Sequence, residues 1–313
     1  GSEMCIRDSG NTVAVIYVTG AELLEALEAS TYSLPVGGFP QVAGINFTLS
    51  TAVAYDANAE TYPASTYYGP KSINRVVINS INGKEFKADD TYAVVTNNFV
   101  AGGGDTYYAF AAASAQFDTG IPLDEAVMEY VTTELKGVIG AQYAAPQGRI
   151  LMNPFKDVKT SAWYGSYVID LYNDGIINGT SATTYAPNDT LTWAAALKLL
   201  LVSHGDLKAA DATGADWSKN TIAKAAELGL VAADLDGAKA ISRLEFCQVA
   251  AKLNKLAESK TESPFTDCTD GYVMALVDAK VISGMTETTF EPAASLTRAQ
   301  IAKILYQLTL IEK

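Results

Sequence analysis

Between Asn11 and Val18 apolar residues alternate with others at Val13, Val15 and Tyr17, the period-two spacing of a strand, and Gly20 to Ser30 (GAELLEALEAS) then shifts to helical spacing. Gly37-Gly38 punctuates the chain, and Ile45 to Leu49 alternates again as a second strand. The polar, Tyr-rich stretch Tyr55 to Gly69 predicts a surface loop. Two strand-like runs, Asn74 to Ile81 and Thr91 to Thr96, bracket Asn82-Gly83, a turn signal that predicts neighbouring antiparallel strands. Beyond the glycine-rich Ala101 to Asp105, Leu123 to Leu135 has helical spacing behind Pro122, which is expected in the helix's first turn. These elements predict an α+β unit, a mixed sheet with helices, that ends near Asn153-Pro154.

From Phe155 the texture changes to short helices, and the chain repeats itself at roughly 50 to 55 residues, a period that implies an array of units. FKDVKTSAWYGSYVIDLYNDGIINGTSATTYAPNDTLTWAAALKLL begins at Phe155 and FTDCTDGYVMALVDAKVISGMTETTFEPAASLTRAQIAKILYQL at Phe265, with Phe, Asp, aromatic, Gly, aromatic-x-Pro and Leu-Thr recurring in order. DWSKNTIAKAAELGLV at Asp216 and AISRLEFCQVAAKL at Ala240 give the same plan with a shorter connection, so three repeats are expected, the middle one trimmed. Ser242 with Glu245, and Thr297 with Gln300, stand three apart before apolar periodicity, the spacing of a capping box that opens a helix.

Composition narrows the function. The formal charge of −13 and pI near 4.5, with no run of Lys or Arg, argue against a nucleic-acid partner. The most apolar run, Ala194 to Val202, is interrupted by Lys198 and is too short for a membrane span. Cys5, Cys247 and Cys268 show no metal spacing and indicate neither a disulfide framework nor a zinc site. The single histidine, His204, has no second His at ligand spacing and reads as an exposed helix-end residue. The lead GSEMCIRDS, Gly1 to Ser9, lacks hydrophobic period and resembles translated adaptor sequence, so it is set aside as an artefact or tag.

Four blocks in order, VTGAELLEALEAS (from Val18), GGFPQVAGINFT (from Gly37), INGKEF (from Ile81) and TNNFVAGGGDTY (from Thr96), resemble the 5'-nucleotidase C-terminal domain. The resemblance implies that Phe99 stacks on a nucleotide base and Asp105 binds the ribose hydroxyls, while Gly102, Gly103 and Gly104 let the backbone approach the ligand and adopt positive φ. Read without the resemblance, Phe99 is core at a strand end and Asp105 a turn residue. Gly10-Asn11 matches the end of the family's Pro-Phe-Gly-Asn segment and makes Asn11 a nucleoside contact, but Ser9 stands where the second stacking phenylalanine belongs. Tyr107 and Tyr108 either line the pocket or lie on the surface. In this family hydrolysis belongs to an N-terminal metallophosphatase domain with two divalent metal ions. No cofactor, metal or catalytic residue is therefore expected in this chain, which reads as a fragment inactive alone.

The helical part resembles S-layer homology repeats, which bind pyruvylated secondary cell-wall polysaccharide on Gram-positive walls. The signature block appears as Leu191-Thr192-Trp193-Ala194-Ala195, Ile241-Ser242-Arg243-Leu244-Glu245 and Leu296-Thr297-Arg298-Ala299-Gln300. Capping does not explain an arginine at a helix start, where a cation opposes the macrodipole, so Arg243 and Arg298 are the candidate glycan contacts. Trp193 replaces the first arginine, to stack on a sugar or to pack, and Trp163 and Trp217 read as core. The expectation is a nucleotide-binding domain at 10–152, then an all-α module at 154–203, 209–257 and 262–313 in a pseudo-threefold arrangement, in a wall-anchored, secreted hydrolase. The alternative is a structural surface protein whose nucleotidase-like domain has decayed to a spacer.

Overall fold

The computed structural model describes residues 10–32, 34, 35, 37–53 and 74–311. The chain forms two compact units, Gly1–Pro154 and Phe155–Lys313. The expected loop at Tyr55 to Gly69 and the lead Gly1 to Ser9 lie outside the described residues.

In the first unit β1 (Thr12–Thr19) is the centre of an antiparallel sheet, flanked by β4 (Thr91–Asn97) and β5 (Ala115–Pro122). A second sheet has β2 (Ile45–Ser50) at its centre, antiparallel to β3 (Val76–Ile81) and parallel to β6 (Ile150–Asn153). Two small sheets thus replace the single mixed sheet read from the sequence, and only the second is mixed. The predicted β3–β4 pairing is wrong. Asn82 and Gly83, at φ +50° and +74°, do make a tight turn, closed by Ile81 and Lys84, but β4 then leaves to pair with β1. A turn signal fixes the local reversal only; which sheet takes the outgoing strand depends on where its apolar face can be buried.

The strand read from the alternation of Val13, Val15 and Tyr17 is present as β1, and its buried face is formed by Ala14, Ile16 and Val18 between them. These three pack with Leu23, Ala26 and Leu27 of α1 (Gly20–Ser30), with Phe47 and Leu49 of β2, and with Phe110. On the opposite face Val15 pairs with Val95 and Phe117, both largely exposed. Pro122 stands at the N-cap position of α3 (Leu123–Glu129) rather than in its first turn, and the helix passes into a π-helical turn at Tyr130–Glu134.

Glu28, buried on α1, ties the two layers together. Its carboxylate accepts the backbone N–H groups of Arg75 (3.1 Å) and Val76 (2.9 Å), while the buried Arg75 guanidinium donates to the carbonyls of Thr31, Tyr32, Ser50 and Thr51. Burial lowers the Arg75 pKa, and Glu28 opposes that shift.

The second unit is helical, with α4 (Gly165–Asn173), α5 (Trp193–His204), α6 (Trp217–Glu227), α7 (Arg243–Leu253), α8 (Gly271–Asp278) and α9 (Arg298–Thr309). Helix α9 packs on α4, α5 on α6, and α7 on α8. Ser242 with Glu245 and Thr297 with Gln300 form the capping boxes that their spacing predicts; Thr192 caps α5 alone, because Ala195 carries no returning side chain. The segments before α5, α7 and α9 bridge one another pairwise, Thr190 with Thr297, Thr192 with Ala240 and Ser242 with Ser295. Among the described residues no helix is long and apolar enough to cross a membrane.

Two carboxylates organise the long connections. Asp157 accepts the N–H groups of Tyr185 and Ala186 (2.8 and 2.7 Å), and Asp267 accepts those of Phe290 and Glu291 (2.8 and 2.9 Å). These bonds hold the Asp267 carboxyl below its ordinary value of 3.8.

Two outcomes are expected. Glu28→Ala removes the acceptor of two N–H groups and the charge facing buried Arg75, and should destabilise the first unit by about 3 kcal/mol or more in urea unfolding. Because the folded pKa of Asp267 is depressed, its stabilisation is full above the unfolded value and is lost as pH falls through the lower folded value. The thermal midpoints of wild type and Asp267→Asn should therefore differ at neutral pH and converge as pH drops below 3.8.

Candidate functional site

At the end of β4, the Asn97 side chain accepts the Val100 N–H (2.8 Å) and starts the single turn Asn98–Ala101 (α2). Phe99 on this turn is 50% exposed, which excludes the core reading. Its ring lies against Gly104, where an added Cβ would come within 2.6 Å of the ring atoms, so only glycine leaves the ring this position. Of the three glycines only Gly103 has positive φ (+87°); Gly102 does not, and Gly104 serves by close approach instead. Asp105 follows at φ +53°, and its side chain faces Gly38 across a short gap.

The antiparallel register, Val13 opposite Asn97, carries the start of β1 alongside α2. The Thr12 N–H donates to the Asn98 side chain (3.3 Å), and Asn11 comes to the same end of the sheet, its carbonyl accepting the Leu123 N–H (3.1 Å). Phe99, Gly103, Gly104, Asp105 and Asn11 are thus gathered at one sheet end. Tyr107 is buried rather than superficial and donates to the Gly38 carbonyl (2.7 Å), and burial pushes its phenol up to about 12. Beside it Thr106 is buried with a hydroxyl that has no partner.

In the helical unit Arg298 donates Nε to the Tyr185 carbonyl (2.7 Å) and a terminal nitrogen to the Asn178 carbonyl (2.8 Å), with its guanidinium 4.4 Å from the Tyr185 ring centre. Arg243 repeats this stacking over Phe290 (4.5 Å) and donates a terminal nitrogen to the Ser283 carbonyl (2.7 Å), but its buried Nε has no partner. Burial lowers its pKa. The two arginines therefore stand in the same setting with different degrees of satisfaction. Thr106 Oγ1 and Arg243 Nε are the two buried side-chain polar atoms left unpartnered among the described residues, and one lies in each candidate site.

Arg243 lines an open cavity of about 210 Å³ together with Trp163, Ser283, Met285, Gln300 and Lys303. Trp163 is 58% exposed, not core; it precedes α4 and packs edge-on to Tyr164. Trp217 is half-buried beneath Lys198 (5.3 Å), and Trp193 is half-buried at the first position of α5. His204 ends α5 but is half-buried, and its Nδ1 lies 2.6 Å from Asp206. No cluster of three or more His, Cys, Asp or Glu side chains suited to a metal occurs among the described residues. The reading of single residues missed Thr106, Lys303 and the exposure of Trp163. Burial without a partner leaves no mark on sequence, and the cavity draws on segments far apart in the chain.

Residues 7–112 match the family described as 5'-nucleotidase, C-terminal domain, and residues 154–196 and 267–302 match the S-layer homology domain. The trifunctional nucleotide phosphoesterase protein YfkN of Bacillus subtilis is 37% identical over 124 residues, 38% of this chain and 8% of that protein. The surface-layer 125 kDa protein of Lysinibacillus sphaericus is 40% identical over 84 residues, 25% of this chain and 7% of that protein. The solved 5'-nucleotidase precursor from Thermus thermophilus is 33% identical, with a TM-score of 0.35 over 46% of this chain and 25% of that one. The chain thus spans a small part of the curated relatives it matches. S-layer homology domains place it at the cell surface. The chain carries a 5'-nucleotidase C-terminal domain over residues 7–112, followed by S-layer homology domains.

Proposed function

We propose that this chain supplies the nucleoside-binding half and the wall anchor of a 5'-nucleotidase-type hydrolase, and that it is inactive alone because the two-metal chemistry belongs to a metallophosphatase domain outside it. The anchor consists of three repeats, 154–203, 209–257 and 262–313, around a pseudo-threefold axis, and it binds pyruvylated secondary cell-wall polysaccharide.

The observation that carries the anchoring reading is the buried, unpartnered Nε of Arg243 beside a cavity lined by Trp163, Gln300 and Lys303. A guanidinium with a free donor, a second cation and an exposed aromatic face suit an anionic ketal on a sugar ring. Arg298 has already placed its Nε and one terminal nitrogen on carbonyls, so its share in binding is smaller and its share in structure larger. Trp193 lies at the matching helix start and contributes least. On the nucleotidase side, half-exposed Phe99 beside Asp105 and Asn11 offers one stacking wall and polar partners for a nucleoside. Nucleic acid is not a partner, given the charge of −13.

Pull-down of the full chain with pyruvylated wall polysaccharide tests the anchor. Arg243→Ala should weaken capture by about tenfold, the scale of one charge-assisted hydrogen bond, with the circular dichroism spectrum unchanged. Arg298→Ala should lower the thermal midpoint more than Arg243→Ala does and weaken capture less. Undiminished capture by Arg243→Ala would remove this cavity from the reading. Titration with adenosine or AMP tests the other half: Phe99→Ala should cost about 1 to 3 kcal/mol of binding, and Gly104→Ala, which displaces the ring, should weaken binding in the same direction. A well-folded chain that binds no nucleoside would instead favour the structural spacer.

A further inference from the structure

The helix that carries Arg243 also carries a buried cysteine. Cys247 lies one helical turn beyond Arg243, fully buried, and Cys268 stands just before α8, 7% exposed; both are thiols in the structure. Their segments are pinned side by side. Helix α7 packs on α8, Gln248 Nε2 donates to Asp270 Oδ2 (2.7 Å), and the Ser263 hydroxyl donates to the Cys268 carbonyl (2.6 Å). The Arg243 guanidinium lies within electrostatic reach of both sulfurs, and Cys268 within reach of Cys247.

The chain holds an internal comparison. Ala302 stands five residues beyond Thr297, as Cys247 does beyond Ser242, and Val158 stands three beyond Phe155, as Cys268 does beyond Phe265. Both Ala302 and Val158 are buried, so in the α9–α4 pair these two places, on α9 and in the turn before α4, are apolar core, and thiols fill the corresponding places on α7 and in the turn before α8.

We propose that Cys247 and Cys268 are joined by a disulfide in the protein at the cell surface, tying the helix that presents Arg243 to the turn organised by Asp267. Cell-surface location supplies the oxidising setting in which such bonds persist. The two thiols are oxidised to one S–S bond, and a low-molecular-weight disulfide takes up both electrons and both protons and leaves as two thiols. Burial pushes the Cys247 thiol up to about 12, so the exchange belongs to the folding chain, before the helix closes over it.

The test uses the full chain with Cys5→Ser, unfolded, refolded with oxidised and reduced glutathione, alkylated in denaturant and digested. A peptide linking Cys247 to Cys268, with neither residue alkylated, is the expected result, together with a thermal midpoint several degrees higher than that of protein refolded under dithiothreitol. The double variant Cys247→Ala, Cys268→Val reproduces the Ala302 and Val158 pair, should fold, and should have a midpoint indifferent to reductant. Full alkylation of both residues after oxidative refolding, or linkage only between molecules, would overturn the proposal.

Discussion

The first N–H groups of a helix have no partner within it, and in the second unit they find their partners in another segment. At α5, Trp193 and Ala194 donate to the carbonyls of Lys239 and Gly237; at α7, Arg243 and Leu244 donate to Ala294 and Pro292; at α9, Arg298 and Ala299 donate to Asp189 and Pro187. The N-cap side chains of Thr192, Ser242 and Thr297 take the third N–H. Each helix start is therefore completed by the loop that precedes a different helix, in a closed order of α5 on the loop before α7, α7 on the loop before α9, and α9 on the loop before α5. Each of the three helix starts thus depends on the loop before another, and the three close a ring that couples these parts of the unit to one another.

This exchange sets the arginines in position. Because the donors at the first two helix positions are bound to a foreign loop, a long side chain at the first position is delivered into that loop's interior. There Arg298 crosses Tyr185 and reaches Asn178, and Arg243 crosses Phe290 and reaches Ser283. The aromatic residue beneath each arginine has its backbone N–H held by Asp157 or Asp267, so the carboxylate fixes the backbone of the residue whose ring the guanidinium covers. Loop carbonyls thus offset much of the unfavourable dipole that a cation meets at a helix start. What remains unexplained by structure is the Nε of Arg243.

At the other end of the chain the constraint is steric. Phe99 is held half out of the protein because its ring occupies the space that a side chain at position 104 would fill, and Gly103 takes the left-handed turn that leads into Asp105. The β1–β4 register, with Val13 opposite Asn97, then sets the start of β1 beside this turn, where the Thr12 N–H reaches the Asn98 side chain.

Much of this was legible from residues in order. The change of texture at Pro154, the strand and helix types, the capping pairs and the blocks matched over 7–112, 154–196 and 267–302 all depend on local spacing, which sequence records directly. The partition into two sheets was not, because Asn82-Gly83 states that the chain turns and not which strand accepts it. The buried face of β1 was not written in the alternation either, because Ala14, Ile16 and Val18 alternate as cleanly as their neighbours; only α1 and β2 packing against one side made them core. Likewise Trp163 looked like core and proved exposed, and two equivalent arginines proved unequally satisfied. Local propensity is written in adjacent residues, whereas burial and hydrogen-bond satisfaction belong to pairs brought together from across the fold, and those the tertiary structure alone decided.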